Sequence, residues 1–493
     1  MSRSKPSHQA RTANPQSFLA CLSHFLTPHV FKQAQQCLKS RRAFRWHAQP
    51  LLFVLLTTTW CAGESLPERF ETARAFYVAL HQRRRRPGKT FVGFQKALGR
   101  VPLPVLRTVA RAMRLQIACV LAASWTVYGF IPLGCDGSRL ACCRSEELER
   151  RLHHRPKKRK KRNKKPAQAP APALISAQAS ATPAPEPKAA KARAEPSMPQ
   201  LWVTAVVHLS LGVLWSWRLG KGDADERQHL RRLVPTLPRR ALLVADAGYT
   251  GYAVMERLQT AGLSFLLRLC SQAPLYVEDK SKLQHYREGQ VYYWPLRQQF
   301  KEQPPIPVRV VRIAADKGAV WLITNVLDEQ RLSRKIASQM YRWRWRNEGL
   351  FRAYKRTLGK VKLMSRTVVQ VHREAEGSLM ATQILLAQGA MALPQTARVR
   401  GELPSVRKVL LEIRMEIRNV VGMYLGPRQR HSYLERLAQA RWPKRQQRTP
   451  KVRRRWPGRK DHRPPGRPKI LKMGTTLKDL AARTLGAKSC ANC

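Results

Sequence analysis

Residues 241–249, ALLVADAGY, decide the fold class of this chain. The stretch begins with a short, continuous apolar run, a pattern typical of a strand that is buried on both faces of a sheet. The run ends at Asp246, so this acid lies at the carboxyl end of the predicted strand. The stretch therefore predicts a mixed α/β domain that carries a carboxylate at the end of a buried strand.

The sequence around this strand predicts further elements of the same domain. Two apolar runs rich in β-branched and aromatic residues, with three residues between them, indicate a hairpin. The predicted elements are the hairpin strands 201–208 and 212–219, a helix from about 224, a helix over 252–261, a strand at 265–267, a strand-rich stretch from about 271 to 325, and a helix that begins at Asp328.

A second aspartate has a similar context. In residues 131–139, IPLGCDGSR, Asp136 ends an apolar run and is followed by a glycine. Either aspartate taken by itself could be an ordinary turn residue, and an aspartate followed directly by a glycine after a strand often is one. Two such aspartates together with a glutamate on a helix would supply the carboxylates of a two-metal site for phosphoryl transfer.

Residues 341–355, YRWRWRNEGLFRAYK, supply that glutamate. At about 100° per residue, the side chains of four residues fall within roughly 60° of one helical face. Arginine, lysine and tyrosine can hold a polyanion while a cation contacts the carboxylate, although a charged helix face is often only solvated. The four residues are Tyr341, Arg344, Glu348 and Lys355.

The charge of the chain indicates its partner. The sequence has 92 Lys and Arg against 30 Asp and Glu, a formal net charge of +62 and a pI near 11.3. Clustered Lys and Arg gain affinity for nucleic acid by releasing counterions from phosphates, so DNA is the expected partner and a membrane surface the weaker candidate. With 493 residues, 43% of them hydrophobic, the chain can also bury an enzyme-sized core.

Three regions flank or interrupt the predicted domain. Residues 1–124 predict a helical N-terminal domain, and its loop 81–89 is strongly basic, which favours contact with the DNA backbone over an exposed solubilising loop. Residues 148–200 form a basic, Ala- and Pro-rich insertion without large apolar residues, so we expect disorder there. Residues 391–493 predict a helical and basic C-terminal region. Its RPPGRPK stretch at 463–469 is a weak match to a minor-groove hook.

The cysteines and the hydropathy of the sequence indicate the cellular compartment in which we expect the protein. The ten cysteines are scattered and the first residues lack an apolar signal core, so we expect a reducing cytoplasm. Cys490 and Cys493 form a CxxC without a second pair, to which we assign no function. The uncharged run 115–135 has the length of a membrane span, but its β-branched, aromatic, Gly and Pro residues favour a helix end followed by a buried strand.

These motifs together resemble a known family. Asp136 in DGSR, Asp246 in ADAGYTGY, and the spacing Tyr341-x2-Arg344-x3-Glu348-x6-Lys355 are similar to the DDE triad and YREK signature of insertion-sequence-four (IS four) transposases. The resemblance covers roughly residues 125–390. It implies an RNase H-like catalytic domain over 125–390 with a β-rich insertion at 271–327, in a bacterial cytoplasmic protein of a mobile element. The basic insertion at 148–200 is longer than the resemblance leads one to expect.

The resemblance also implies an activity. In the family, metal-activated water nicks the transposon end, the freed 3′-hydroxyl makes a hairpin, and the reopened end joins target DNA. Asp136, Asp246 and Glu348 would hold Mg²⁺ or Mn²⁺, two ions in all, and a homodimer would pair two transposon ends. Tyr341, Arg344 and Lys355 would then bind the terminal phosphates.

The family also has a tryptophan that stacks on a base flipped out near the transposon end. Trp321, in the predicted strand GAVWLI at 318–323, matches that position. A tryptophan packed in the core is the competing interpretation, because a large aromatic side chain in a β-rich run is commonly just packed.

Two other functions remain open at this stage. An RNase H-like nuclease would use the three acids, but it would not require the tyrosine, arginine and lysine around Glu348. An inactive, basic DNA-binding relative would explain the charge. It gives no reason for three acids in such positions in a chain with few acidic residues.

Overall fold

The computed structural model describes residues 18–38, 45–81, 84–152, 198–285, 287–315, 318–421, 437 and 467–490. Several predicted features lie wholly or mostly outside these ranges. They are the insertion at 148–200, loop residues 82–83, residues 463–466 of the RPPGRPK stretch, Cys493, and the greater part of the basic region after 421.

One ten-stranded sheet organises the described part of the chain, in the order β10-β6-β7-β8-β9-β5-β4-β1-β2-β3. Its strands are β1 (Ile131–Ala141), β2 (Gln200–His208), β3 (Val213–Lys221), β4 (Ala241–Ala245), β5 (Ser264–Arg268), β6 (Leu275–Val277), β7 (Gly289–Tyr293), β8 (Ile306–Ala315), β9 (Gly318–Thr324) and β10 (Ile470–Lys472).

Five of these strands form an RNase H-like core. Strands β1, β2 and β3 pair antiparallel, while β4 and β5 continue the sheet parallel to β1. Ala141 at the end of β1 pairs with Gln200 at the start of β2, so the chain leaves and re-enters the sheet at adjacent positions. The predicted α/β fold class is confirmed. The β-rich segment extends the same sheet, because β9 pairs antiparallel with β5.

Helices cover both faces of the sheet and precede it. They are α1 (Phe18–Phe25), α2 (Pro28–Cys37), α3 (Ala48–Thr57), α4 (Leu66–Leu80), α5 (Phe91–Gly99), α6 (Leu103–Val120), α7 (Glu146–Leu152), α8 (Glu226–Leu233), α9 (Tyr252–Thr260), α10 (Leu296–Gln299), α11 (Arg334–Trp343), α12 (Trp345–Arg352), α13 (Val368–Ala392), α14 (Gln395–Val399), α15 (Val406–Val421) and α16 (Thr475–Cys490). A π-helical turn over Ala353–Thr357 continues α12.

Most predicted elements around 241–249 are confirmed. The hairpin is β2 and β3, the two predicted helices are α8 and α9, and the short strand at 265–267 is β5. The uncharged run 115–135 divides as predicted, because α6 ends at Val120 and β1 begins at Ile131. Within the described ranges, no helix is both long and apolar enough to cross a membrane.

Two sequence predictions were wrong in detail. Asp136 does not end its strand at a glycine turn, because β1 continues pairing with β2 as far as Ala141. The helix expected from Asp328 begins instead at Arg334, where the Ser333 side chain accepts a hydrogen bond from the Ile336 N–H. Asp328 forms a tight turn, since its carboxylate accepts from the Gln330 N–H at 2.8 Å. Side-chain capping thus decides the start of the helix.

The long helix α13 joins the N-terminal helices to the sheet. It is buried on nearly all sides between Arg373 and Ala390, and one continuous hydrophobic core contains residues of α1–α6, the sheet and α13. The Trp60 indole donates to the Ala381 carbonyl at 3.2 Å. Gly377 lets α3 approach closely, because a Cβ there would lie 2.5 Å from Leu55 Cδ1. The described helical residues before β1 therefore share a core with the sheet, and the domain limits at 124 and 390 stay predictions.

A buried ion pair ties the segment after α12 to α13. The Lys360 ammonium lies 3.0 Å from Glu374 Oε1, and the two side chains are only 3% and 8% exposed. The other oxygen of Glu374 accepts from the Met364 and Ser365 N–H groups. Such a pair holds its segment firmly, because loss of one partner leaves the other charge buried without compensation.

We predict that Lys360→Met destabilises the protein by roughly 3–5 kcal/mol, because it leaves the Glu374 carboxylate buried and without its cation. Chemical denaturation followed by circular dichroism measures the change. Arg483→Met is the matched control, since Arg483 pairs with Glu302 at 3.1 Å with both side chains about two-thirds exposed. That substitution should cost about 0–1 kcal/mol. Equal losses for both variants would contradict the anchoring role.

Candidate active site

The pairing of β1 with β4 aligns the two aspartates. The parallel register joins Gly134 to Val244, so Asp136 and Asp246 each lie two residues beyond the last paired positions. Neighbouring strands lie about 4.8 Å apart, and side chains two residues apart on a strand point to the same face. Asp136 and Asp246 are therefore level with each other where β4 ends.

Each aspartate is oriented by a backbone N–H. Asp136 Oδ1 accepts from the Gly137 N–H at 2.8 Å, and Asp246 Oδ1 accepts from the Gly248 N–H at 2.9 Å in the turn that follows β4. Both carboxylates keep their second oxygen for another partner.

The glycine at position 134 allows α12 to pack closely against β1. A Cβ at Gly134 would lie only 2.6 Å from the Asn347 amide nitrogen, so this position requires glycine for the helix to pack so closely. Asn347 is fully buried beside Glu348 on α12. The close packing places Asp136 and Glu348 on the walls of one cleft of about 320 Å³.

The carboxylates in this region affect one another. Burial, followed by the nearby charges of Asp246 and Glu348, raises the pKa of Asp136 to about 6, against the opposing effects of the Gly137 N–H and Arg344. The three predicted acids are thus brought into one electrostatic environment.

The carboxylates are of the ligand type that a divalent metal ion prefers, but their side chains are not close enough together to coordinate one. Carboxylate oxygens are the hard ligands that Mg²⁺ and Mn²⁺ prefer. However, among the residues that the structure describes, no three His, Cys, Asp or Glu side chains lie close enough together to hold a metal ion. The donor type fits, and the side chains would have to approach one another to bind.

Lys355 lies beside the acids. It stands on the π-helical turn after α12, lines the same cleft as Asp136 and Glu348, and donates from Nζ to Ser138 Oγ at 2.7 Å. Burial lowers its pKa. Ser138 was not predicted from the sequence. It lies two residues after Asp136 on β1, so the strand period of two is the signal that would have placed it on the same face.

Tyr341 and Arg344 do not share the open surface of Glu348, which corrects the prediction of a single charged helix face. The helix breaks at Arg344, between α11 and α12. Both side chains are buried, 6% and 8% exposed, and the Arg344 guanidinium packs 5.5 Å from the Tyr341 ring centroid and 4.7 Å from that of Trp345. They nevertheless lie near the acids. Burial has the largest effect on the pKa of Asp136 and of Tyr341. Beside it, the charge of Arg344 lowers the pKa of Asp136, and the charge of Asp246 raises the pKa of Tyr341.

Two polar atoms of this pair stay available. The Tyr341 hydroxyl and Arg344 Nε have no hydrogen-bond partner within the described residues. Buried polar atoms are normally satisfied, so unpaired ones near Asp136 and Asp246 are consistent with a polar ligand.

Trp321 lies in β9 opposite Arg312 of β8, and its side chain is 6% exposed within the main hydrophobic core. The backbone carbonyl of Trp321 accepts from the Leu269 N–H at 2.8 Å. The indole is thus packed in this structure, and stacking on a flipped base stays a prediction.

The cleft has further basic walls that the motif did not include. Arg352 and Arg356 line it together with Lys355. They follow Glu348 at intervals of four and eight residues, and helical periodicity is the signal that would have placed them on its side of the helix.

Comparisons with known proteins find similarity for part of the chain. Residues 178–384 match the family model of the transposase DDE domain. The match includes Asp246 and Glu348 and begins after Asp136. No curated protein sequence matches significantly. A solved structure, the piggyBac transposase synaptic complex with hairpin DNA, is similar over 85% of this chain and 83% of that chain, with 10% identity and a TM-score of 0.40. This likeness is too weak to carry an argument.

We predict that Asp136→Asn stabilises the metal-free protein at pH 7.5, by about 1–3 kcal/mol, because it removes a charge from a crowded, half-buried position. The folded-state pKa of about 6 lies above the ordinary 3.8, so the wild-type protein gains stability as pH falls through 6. The advantage of the variant should therefore shrink between pH 6 and pH 4. Denaturant titrations across this range measure it, and a difference independent of pH would contradict the electrostatic origin.

Proposed function

We propose that this protein is a DDE transposase that cuts transposon ends and joins them to target DNA. The observation that supports this most is the arrangement at the end of β4, where the β1 register sets Asp136 level with Asp246 and α12 brings Glu348 to the cleft that Asp136 lines. The family match covers the part of the chain that contains Asp246 and Glu348, and the register extends the proposal to Asp136.

In this proposal Asp136, Asp246 and Glu348 hold two Mg²⁺ or Mn²⁺ ions. When bound, such ions supply activation of water and stabilisation of the charge that develops on the phosphate. The backbone of the chain orients the aspartate carboxylates. The Gly137 and Gly248 N–H groups fix one oxygen of each aspartate, which leaves the other for a cation.

The basic residues of the cleft would bind the DNA backbone. Lys355, Arg352 and Arg356 are placed to contact phosphates next to the acids, and arginine does so with two parallel hydrogen bonds. Tyr341 and Arg344 would contact the terminal phosphate through the hydroxyl and Nε that lack partners among the described residues. The packed Trp321 would have to become uncovered to stack on a flipped base.

Further parts of the proposal concern assembly. The exposed Arg84, Arg85, Arg86 and Lys89 of the helical N-terminal region would grip the DNA near the transposon end. We propose a homodimer that pairs two ends, a hairpin intermediate, and action of the protein on bacterial DNA in the cytoplasm.

The test is a cleavage assay with a labelled duplex that carries the inverted repeat flanking the gene, incubated with the purified protein and Mg²⁺. A hairpin product supports cut-and-paste transposition. Nicking without a hairpin would replace it with a nuclease function. Retention of the duplex without any cleavage would replace it with simple DNA binding.

We predict that Asp246→Asn abolishes cleavage, a loss of at least about 10³-fold, while binding of the end duplex changes little. The substitution removes a metal ligand and leaves the phosphate contacts in place. Single-turnover cleavage and a gel-shift titration measure the two properties on the same duplex.

Asp328→Asn is the matched control for this substitution, because Asp328 is exposed and its carboxylate accepts from the Gln330 N–H in a turn outside the cleft lining. It should retain both properties. Parallel loss of binding and cleavage in Asp246→Asn would indicate a structural role instead.

Lys355→Ala should weaken binding of the cleaved end and reduce the slope of log affinity against log salt by about 1, because one phosphate contact is lost. The slope is measured by fluorescence anisotropy between low and moderate salt. Lys301→Ala, an exposed lysine far from the cleft residues in sequence, provides the comparison. An identical salt slope for wild type and Lys355→Ala would argue against the phosphate contact.

A further inference from the structure

The first turn of α12 begins without a side-chain cap. The helix of α11 breaks at Arg344, and Arg344, which the structure describes together with both helices, makes no side-chain hydrogen bond that caps α12. A capping side chain is the usual means of fixing a helix start. Glu348 lies in this first turn, so whatever else fixes the turn also fixes the acid.

Arg346 anchors the same turn to two connections of the chain. Its Nη1 donates to the Leu209 carbonyl and, at 3.0 Å, to the Ser210 carbonyl, both between β2 and β3. Its Nη2 donates to the Gly401 carbonyl, between α14 and α15. The guanidinium can do this because its donors project in fixed directions from one plane. A single side chain thus holds three carbonyl groups of two connections.

Two glycines let these connections close around the guanidinium. Gly401 has a φ of +73°, and a Cβ there would lie 3.0 Å from Arg346 Nη2 and 2.9 Å from the Trp343 ring. The Trp343 ring centroid is 4.8 Å from Arg346 Cζ. A Cβ at Gly212 would lie 2.8 Å from Leu403 Cδ2, so the two connections also pack directly against each other.

The contact with Leu209 joins α12 to the strand that carries Asp136. The Leu209 N–H donates to the Pro132 carbonyl of β1 at 2.7 Å, while the Leu209 carbonyl accepts from Arg346. Pro132 lies four residues before Asp136 on β1. The position of Glu348 relative to Asp136 therefore depends on two hydrogen bonds and on short stretches of strand and helix.

Arg346 acts from the side of α12 that faces away from the cleft. At about 100° per residue, it lies roughly 200° from Glu348 around the helix. The described residues that line the cleft include Glu348 but not Arg346. The Arg346 guanidinium is bonded to backbone carbonyls, so the contacts of this arginine lie inside the protein.

We infer that Arg346 is a positioning residue for DNA cleavage, because it anchors α12 and thereby sets where Glu348 lies relative to Asp136. The inference rests on the proposed function, in which these acids share the metal ions. The described acids must approach one another to bind an ion, and an anchored first turn keeps that movement small. A misplacement of about 1 Å can slow an enzyme about 100-fold, so the anchor affects the rate.

The experiment compares Arg346→Lys with the wild-type full-length protein. Lysine keeps the charge, but its compact ammonium cannot reach both connections at once. Hydrogen–deuterium exchange without metal or DNA should show residues 345–352 exchanging about tenfold faster, because their opening is less restrained. Single-turnover cleavage of the end duplex should slow about tenfold or more and need more Mn²⁺ for its half-maximal rate. Binding of that duplex should stay within about twofold of the wild type.

Arg414→Lys is the matched control. Arg414 of α15 donates from Nε to the Trp60 carbonyl at 2.8 Å, so it also joins a helix to a connection through a backbone carbonyl. This variant should keep wild-type exchange at 345–352 and wild-type cleavage. Equal slowing of cleavage in both variants would show that general stability is responsible, and it would overturn the positioning role of Arg346.

Three other results would also overturn the inference. Unchanged exchange at 345–352 in Arg346→Lys would show that the contact does not hold α12. Faster exchange with wild-type cleavage would show that Glu348 does not depend on it. In Arg346→Gln, a fall of about 1 in the salt slope of end binding would show that Arg346 contacts a phosphate instead.

Failure of the proposed function is recognised separately. A wild-type protein that cleaves no duplex would overturn the transposase proposal. The exchange of residues 345–352 requires neither metal nor DNA, so it would still decide whether Arg346 anchors α12.

Gly401→Ala covers the case in which Arg346→Lys does not fold. The added methyl group displaces Arg346 Nη2 from one carbonyl group and leaves the arginine in place. Exchange at 345–352 should again become faster and cleavage slower, with end binding unchanged. Wild-type exchange and cleavage in this variant would contradict the anchoring role.

Discussion

The parallel pairing of β1 with β4 is the constraint on which the rest of the site depends. Because Gly134 pairs with Val244, the chain has no freedom to shift Asp136 against Asp246 without breaking the buried core of the sheet. A slip of one residue would turn Asp136 to the α8 face and Cys135 to the α12 face. The position of the helix-borne acid depends on the same register, since α12 packs closely only over the glycine at 134.

This arrangement brings like charges together at a half-buried position, which opposes folding. Burial is the main cause of the raised pKa of Asp136, and the charges of Asp246 and Glu348 add to it. The surrounding structure must offset it, and α13 does so by joining the N-terminal helices, the sheet and the segment after α12 in one core. The Lys360–Glu374 pair fixes that segment to α13. The packing around α13 thus offsets the free-energy cost of placing the carboxylates close together. Such a cost is common at sites whose groups are arranged for catalysis.

The sequence predicted the fold better than the details of the site. The apolar run before Asp246 and the hairpin at 201–219 have local patterns strong enough to identify their strands. The continuation of β1 past Asp136 depends on pairing with β2, a partner about sixty residues away in the chain, so no local signal reveals it. The burial of Tyr341 follows from packing of α11 on the sheet, which the helical spacing of its charged residues does not reveal.

The pairing of Ala141 with Gln200 affects how well the chain tolerates insertions and deletions between β1 and β2. Since the two strand ends that flank residues 142–199 are hydrogen-bonded neighbours, the distance that any intervening segment must close is short and independent of its length. The entropy of closing such a loop grows only with the logarithm of its length. Sequence can accumulate or disappear between residues 153 and 197 without altering the strand pairing around Asp136, whereas α7 packs Leu148 and Leu152 into the core. The same junction is a suitable place to graft a reporter domain.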